Sequence, residues 1–203
     1  MILTHGSNSI SRGGNPDFIE IGGRSYPYVQ IGNQLWLAEN LQLILPGMEV
    51  DPPSITSYTQ CCVLTNPSDP QYSSTYGFLY TREAAVLINS TSGSLPEGWR
   101  VPSTTDLQTL KSAVSSDANL LKSTSGWYEE QNGTDNYGFN AIPSGYYNSG
   151  YSDISKRLHI MGVTNWGTYR NRRLEIYYDN STVRLTDSYY SVAGTIRLIK
   201  DVA

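Results

Sequence analysis

The chain holds two thiols, Cys61 and Cys62, and two imidazoles, His5 and His159. Adjacent cysteines do not normally form a bridge, because the required dihedrals are strained, so both read as buried small hydrophobes rather than reactive groups. A transition-metal site would want a cluster of His, Cys and carboxylates, and two histidines so far apart do not make one. Glu129-Glu130 is a carboxylate pair, but its setting reads as a solvated loop rather than acid/base machinery. The chain has no Gly-x-Ser-x-Gly elbow and no phosphate loop. The residues that could do chemistry therefore point away from catalysis, and no enzyme activity, cofactor or metal is expected.

A different pattern occupies Leu174–Ser191, "LEIYYDNSTVRLTDSYYS". Leu174, Ile176, Val183 and Leu185 recur every second residue, as in half-buried strands. Tyr, Asn, Asp, Ser and Thr fill the positions between and after them. Tyrosine supplies contact area at low entropic cost, and Ser, Asn and Asp supply adaptable hydrogen bonds; this is the composition of a binding surface. Arg170, Arg172, Arg173 and Arg184 add donors of the kind found at interface hot spots. Tyr169, Asn171, Arg173, Tyr177, Tyr178, Asp179, Asn180, Thr186, Ser188 and Tyr189 are the expected recognition face. His159 is a further candidate for that face.

Such a face needs a rigid support, because a slip of one residue along a strand would turn it over. Phe18, Ile19 and Ile21 run into Gly22-Gly23, a hairpin signal, and "RSYPYVQI" follows. A second turn at Gly32-Asn33 leads into "QLWLAENL", anchored by Trp36. From Pro46 to Tyr76 there is no periodicity, and a long ordered loop carrying both cysteines is expected. Ala84, Ala85, Leu87 and Ile88 have helical spacing. Ser103 and Asp106 form a capping-box pattern ahead of Leu107, Leu110 and Val114, one face of a second helix. After Gly126 short strands alternate with Gly, Asn, Asp and Ser. The sum is an α+β chain with two short helices and a strand- and loop-rich C-terminal half. Residues 1–17 read as a flexible N-terminal arm and 18–203 as one domain.

With a net charge of -4 and 16% charged residues, the chain lacks the basic face that phosphate binding needs, so no nucleic-acid partner is expected. Sixteen Tyr against three Phe favour rings that pack on one side and present a hydroxyl. No apolar run approaches the ~20 residues of a membrane span, and no membrane insertion is expected. The first residues lack the basic and apolar regions of a secretory signal, so the expectation is a product made and kept reduced in a cytoplasm.

Six blocks carry a resemblance: "VQIGNQLWLAENL" (29–41), "YGFLYTREAA" (76–85), "LPEGWRVPSTTDLQTL" (95–110), "LKSTSGW" (121–127), "YGFNAIPSGYY" (137–147) and "IRLIKD" (196–201). In this order they resemble the Fibrobacter succinogenes major paralogous domain, a family of gut Bacteroidetes and their phages. The family looks like a branch of the C-type lectin-like fold, close to formylglycine-generating-enzyme domains. The resemblance implies an N- and C-terminal strand pair closing the domain, with "IRLIKD" as the closing strand and Ile196, Leu198 and Ile199 as packing residues. The paired cysteines of a formylglycine-generating oxidase lie near the C-terminus, which Cys61 and Cys62 do not match. The calcium motifs of sugar-binding lectins are also missing, since the nearest strings are "NPD" at 15–17 and "NW" at 165–166.

"MGVTNWGT" (161–168) and "SVAGTIRLIKD" (191–201) depart from the usual family pattern and resemble the variable proteins of diversity-generating retroelements. In those systems adenine-directed mutation rewrites a C-terminal segment, here about 158–195, and Lys, Gln, Glu, Met and Trp are out of reach of the rewritten Asn codons. Residues 164–195 contain no Lys, Gln or Met, and their single Trp166 and single Glu175 would be fixed scaffold positions. The resemblance thus implies a receptor-recognition protein on a phage or prophage tail, assembled in the bacterial cytoplasm and found in the virion. Its partners would be tail components and a bacterial surface protein or glycan, and its state monomer or trimer. The alternative is a non-diversified binding or structural module of the same family on the bacterial cell surface.

Overall fold

A computed structural model describes residues 17–165, 170–189 and 191–202; the side chains of Asn165 and Ser188 are outside the description. The expected arm, 1–17, lies outside the described residues except for Asp17, which opens the first strand. In chain order the elements are β1 Asp17–Ile21, β2 Arg24–Ile31, β3 Gln34–Leu37, β4 Glu49–Val50, β5 Cys62–Leu64, α1 Tyr72–Tyr76, β6 Leu79–Tyr80, α2 Arg82–Ser90 and α3 Thr104–Ala113. The C-terminal half adds β7 Tyr146–Tyr147, β8 Tyr151–Ser152, β9 Arg157–Asn165, β10 Arg170–Tyr177, β11 Arg184–Tyr189 and β12 Ile199–Asp201. Few helices and many short strands make the chain mixed α+β.

Both turns expected near the start are present, at Gly22-Gly23 and at Gly32-Asn33, and they fold β1, β2 and β3 into an antiparallel meander. β12 returns to the free edge of β3, pairing Ile199 with Trp36. The last described strand thus closes the sheet that the first one opens, and Ile196, Leu198 and Ile199 are all buried. Trp36 is fully buried and meets Phe139 edge-on, with ring centroids 6.1 Å apart.

The helix starts follow their caps. Thr81 accepts from the Ala84 amide at the head of α2. Ser103 and Asp106 make the reciprocal capping box of α3, and Asp106 is also paired with Arg100. Leu107, Leu110 and Val114 then bury one side of α3 against β9, β10 and β11.

The stretch 46–76 is more structured than its sequence suggests. β5 pairs in parallel with β4 and antiparallel with β6, and α1 supplies the buried Tyr72, whose hydroxyl donates to the Ser144 carbonyl at 2.7 Å. Strands of two or three residues carry no periodic signal, and tertiary pairing holds them. Cys62 is buried and Cys61 half-buried; both are free thiols, and burial pushes Cys62 up to about 11. Among the described residues no helix is long and apolar enough to cross a membrane.

Candidate ligand-binding surface

β11, β10 and β9 form a three-stranded antiparallel sheet in that order. Leu174 pairs with Leu185 and with Ile160, and Ile176 pairs with Leu158. These side chains share one face with Val183 and pack on α3. The alternation read from the sequence is therefore the core face of a sheet, and the residues between must point the other way.

On that other face β10 places Asn171, Arg173, Glu175 and Tyr177 in a row. Glu175 lies between His159 of β9 and Arg184 of β11, and Arg173 lies between Met161 and Thr186. Glu175 and His159 are both buried, although both sit on the non-core side. The cover comes from the β9 edge. Tyr146 stacks on the His159 ring at 4.4 Å. The chain at Gly194 runs so close that a Cβ there would come within 3.0 Å of the Cβ of His159 and 2.9 Å of the Met161 sulfur. That contact explains Gly194 at the end of "SVAG": only a glycine lets the backbone approach β9 this closely.

Glu175 organises this layer. Arg173 Nε donates to its carboxylate at 2.6 Å and the Tyr177 hydroxyl donates at 2.8 Å. Burial pushes the Glu175 carboxyl up, but the Arg173 charge and these hydrogen bonds outweigh it and hold the group below its ordinary value. His159 Nε2 is 3.2 Å from Glu175 Oε1, without the direction of a hydrogen bond. Burial, and then the Arg173 and Arg157 charges, drive the His159 pKa well below the usual histidine value, so the imidazole is neutral. Above this layer Tyr177 is flanked by two guanidiniums, with Arg157 at 4.2 Å and Arg184 at 5.2 Å from its centroid.

The expected recognition residues fall into separate places. Arg173, Tyr177 and Thr186 share the outer face, and Ser188 pairs with Asn171 on the same ladder. Tyr178, Asp179 and Asn180 form the turn after β10. This turn is docked rather than free: Lys122 Nζ donates to the Tyr178 carbonyl at 2.9 Å, and the Tyr178 ring meets Tyr128 edge-on at 5.3 Å. Asn180 Oδ1 accepts from the Thr182 amide at 2.7 Å, an Asx turn. Asp179 is exposed. Tyr189 is exposed on the opposite face from Tyr177, beside Arg170 and near the Arg172–Asp187 ion pair. Tyr169 lies outside the described residues.

Two expectations need correction. Asn171 is fully buried and cannot contact a ligand from there. The register slips between Asn171 and Arg173, and Asn171 Nδ2 donates to the Gly162 carbonyl at 3.2 Å. Asn171 therefore braces a bulge in "MGVTN", where the Val163 amide also reaches the Pro102 carbonyl and Thr164 accepts from the Thr104 amide at the start of α3. His159 is likewise buried rather than displayed. In the other direction, sequence reasoning missed Arg157 and Tyr146. Arg157 opens β9, where Leu158 and Ile160 alternate with polar neighbours; Tyr146 comes from a distant segment and carried no signal.

Among the described residues no group of three or more His, Cys, Asp or Glu is placed to hold a metal ion. The surface offers donors and aromatic faces, which suit non-covalent recognition.

A comparison with curated proteins and one with solved structures found no match. A comparison with protein families matched the Fibrobacter succinogenes major domain over residues 29–192, a span that runs from β2 to just beyond β11. The chain belongs to the Fibrobacter succinogenes major domain family.

Proposed function

We infer that this chain is a ligand-binding module of C-type lectin-like fold, whose C-terminal sheet carries a diversified recognition surface. One observation carries the reading: strand parity divides β10 and β11 into a fully buried layer, Leu174 and Ile176, and an outward layer of Arg, Tyr and Thr. A surface built this way can change its exposed outward residues, such as Arg184, without disturbing the apolar packing that holds it. The resemblance of "MGVTNWGT" and "SVAGTIRLIKD" to diversity-generating retroelement variable proteins supports diversification, with Glu175 as a fixed position. On that resemblance the module sits on a phage or prophage tail and recognises a protein or glycan on the surface of a gut bacterium. The binding is non-covalent and requires no cofactor.

An array of glycans and bacterial cells tests the reading. Wild type should bind one or a few targets, and Tyr177→Ala combined with Arg184→Ala should abolish binding while leaving the circular dichroism spectrum unchanged. Retained binding by that double variant would remove the outer face from the reading. Sequencing the gene's neighbourhood tests diversification separately. It should reveal a reverse transcriptase and a near-copy of the 3′ end differing at adenines, and their absence would end that part.

A further inference from the structure

Three guanidiniums face the same side of the C-terminal sheet, Arg157, Arg173 and Arg184, against two carboxylates, Glu175 and Asp153. The face thus keeps one positive charge on a chain whose net charge is -4. The carboxylates do not use all the donors. Arg173 gives Nε to Glu175, while its Nη1 is buried with no hydrogen-bond partner. Arg157 is 3.2 Å from Asp153 through Nη2, while its Nε is likewise buried and unpartnered. Arg184 is exposed, and its guanidinium lies 5.2 Å from the Tyr177 ring centroid. Buried N–H groups left unpaired cost free energy, and a charged donor costs more than a neutral one. In the ladder Arg173 and Arg184 are diagonal neighbours on adjacent strands, about 7 Å apart at the backbone, so side chains as long as arginine can converge.

We propose that the outer face of β10 and β11 receives a compact oxyanion of the ligand, a carboxylate or a sulfate, between Arg184 and the Glu175-anchored Arg173. This rests on the reading of the face as a binding surface and names the chemical class of the group it takes. An oxyanion has acceptors only, which is what unpaired guanidinium N–H groups require, and a planar fork matches it in two bonds. Glu175 helps rather than opposes: by holding Arg173 Nε it fixes the direction in which the rest of that guanidinium points. Tyr177 does the same for Arg184, whose guanidinium lies over its ring. One net positive charge suits a single anionic group rather than a charged track, and Arg172 is tied to Asp187 on the opposite side.

The test uses sodium sulfate and sodium acetate as probes, titrated against sodium chloride at matched ionic strength. The arginine Nε–Hε resonances of the intact chain are followed by NMR. Saturable shifts of Arg173 and Arg184, absent in chloride, are expected. In Arg184→Gln, an exposed change that leaves the fold intact, apparent affinity should fall about tenfold, the loss expected for a bond to a charged donor. Arg170, on the other face, serves as control. The inference is overturned if the shifts do not saturate, if Arg170 responds equally, or if Arg184→Gln binds as wild type does. Cell binding separates this inference from the reading beneath it. Wild type that binds cells through Tyr177 but is not competed by either anion sinks the oxyanion and keeps the surface. Saturable anion binding without any cell or glycan target does the reverse.

Discussion

Mild acid should destabilise this protein through one residue, His159. Its side chain is fully buried, stacked on Tyr146, and lies near Glu175, Arg173 and Arg157. Burial and the two arginine charges hold its native pKa well below 6.5. In the unfolded chain the imidazole returns to about 6.5. Above that value neither state binds the proton, and folding is indifferent to pH at this site. Below it the unfolded chain takes up a proton that the native state refuses, so stability falls as pH falls, until the native pKa is reached. One proton corresponds to about 1.4 kcal/mol per pH unit. Integrating from pH 7.5 to pH 5.5 with an unfolded value of about 6.5 gives a loss of roughly 1.4 kcal/mol.

The measurement is urea unfolding followed by tryptophan fluorescence at pH 7.5, 6.5 and 5.5, for wild type, His159→Gln and His159→Phe. Each variant has its own stability at pH 7.5, and only the slope with pH matters. Wild type should lose about 1.4 kcal/mol more than either variant over this range. His5 is common to all three chains and cancels in the difference. Glu175 does not interfere, because its depressed pKa keeps it ionised throughout the window and its unfolded value lies below it. Parallel pH curves for wild type and variants would refute the reasoning, as would an NMR titration placing the native His159 pKa near 6.5.

Four further outcomes follow from the same layer structure. Arg173→Ala leaves the Glu175 carboxylate buried without its ion pair and should cost about 3–5 kcal/mol, whereas Arg184→Ala should change stability by less than about 0.5 kcal/mol; denaturant titration at pH 7.5 compares them. Leu174→Ala empties a core position and should cost about 2–5 kcal/mol, while Tyr189→Ala, an exposed position at the end of the same face, should fall within about 0.5 kcal/mol, and equal effects would contradict the burial that sets these two positions apart. Arg197 is fully buried and donates to Asn40, to the carbonyls of Leu37 and Phe139, and to that of Asn140; Arg197→Ala strands these acceptors and should cost about 3 kcal/mol or more. Lys122→Met removes the bond to the Tyr178 carbonyl, and hydrogen exchange at residues 178–182 should speed up at a stability cost of about 1 kcal/mol.

What could be read from the sequence is what local chemistry decides. The capping box at Ser103 and Asp106 is three residues wide, and the glycine turns are two, so both are visible without the fold. Strand parity at Leu174, Ile176, Val183 and Leu185 is also local, and these four side chains do pack on one face of the sheet. The role of "IRLIKD" as a closing strand came through the family resemblance, and its pairing with β3 came from the structure. Illegible were features made by distant segments meeting. Tyr146 covers His159, Gly194 presses on the same strand, and Val63 finds Tyr80, all without periodic trace. Composition misled at Asn171, where the residue type suited a recognition surface and the bulge at Gly162 claimed it instead.

The outward layer therefore has two depths, and they differ in freedom. Arg173 and Tyr177 look outward by parity, yet each donates to Glu175, and replacing either withdraws a partner from a buried carboxylate. Arg184 and Asp179 carry no such debt to the fold. A mutational process that rewrites this segment at random would find the second pair permissive and the first restrictive, unless Glu175 changed as well. Glu175 lies outside the residues that adenine-directed change of Asn codons can reach. If the segment is rewritten in the proposed way, the carboxylate and its two donors would form a constant platform, and variation would be concentrated where side chains stand on it rather than hold it up.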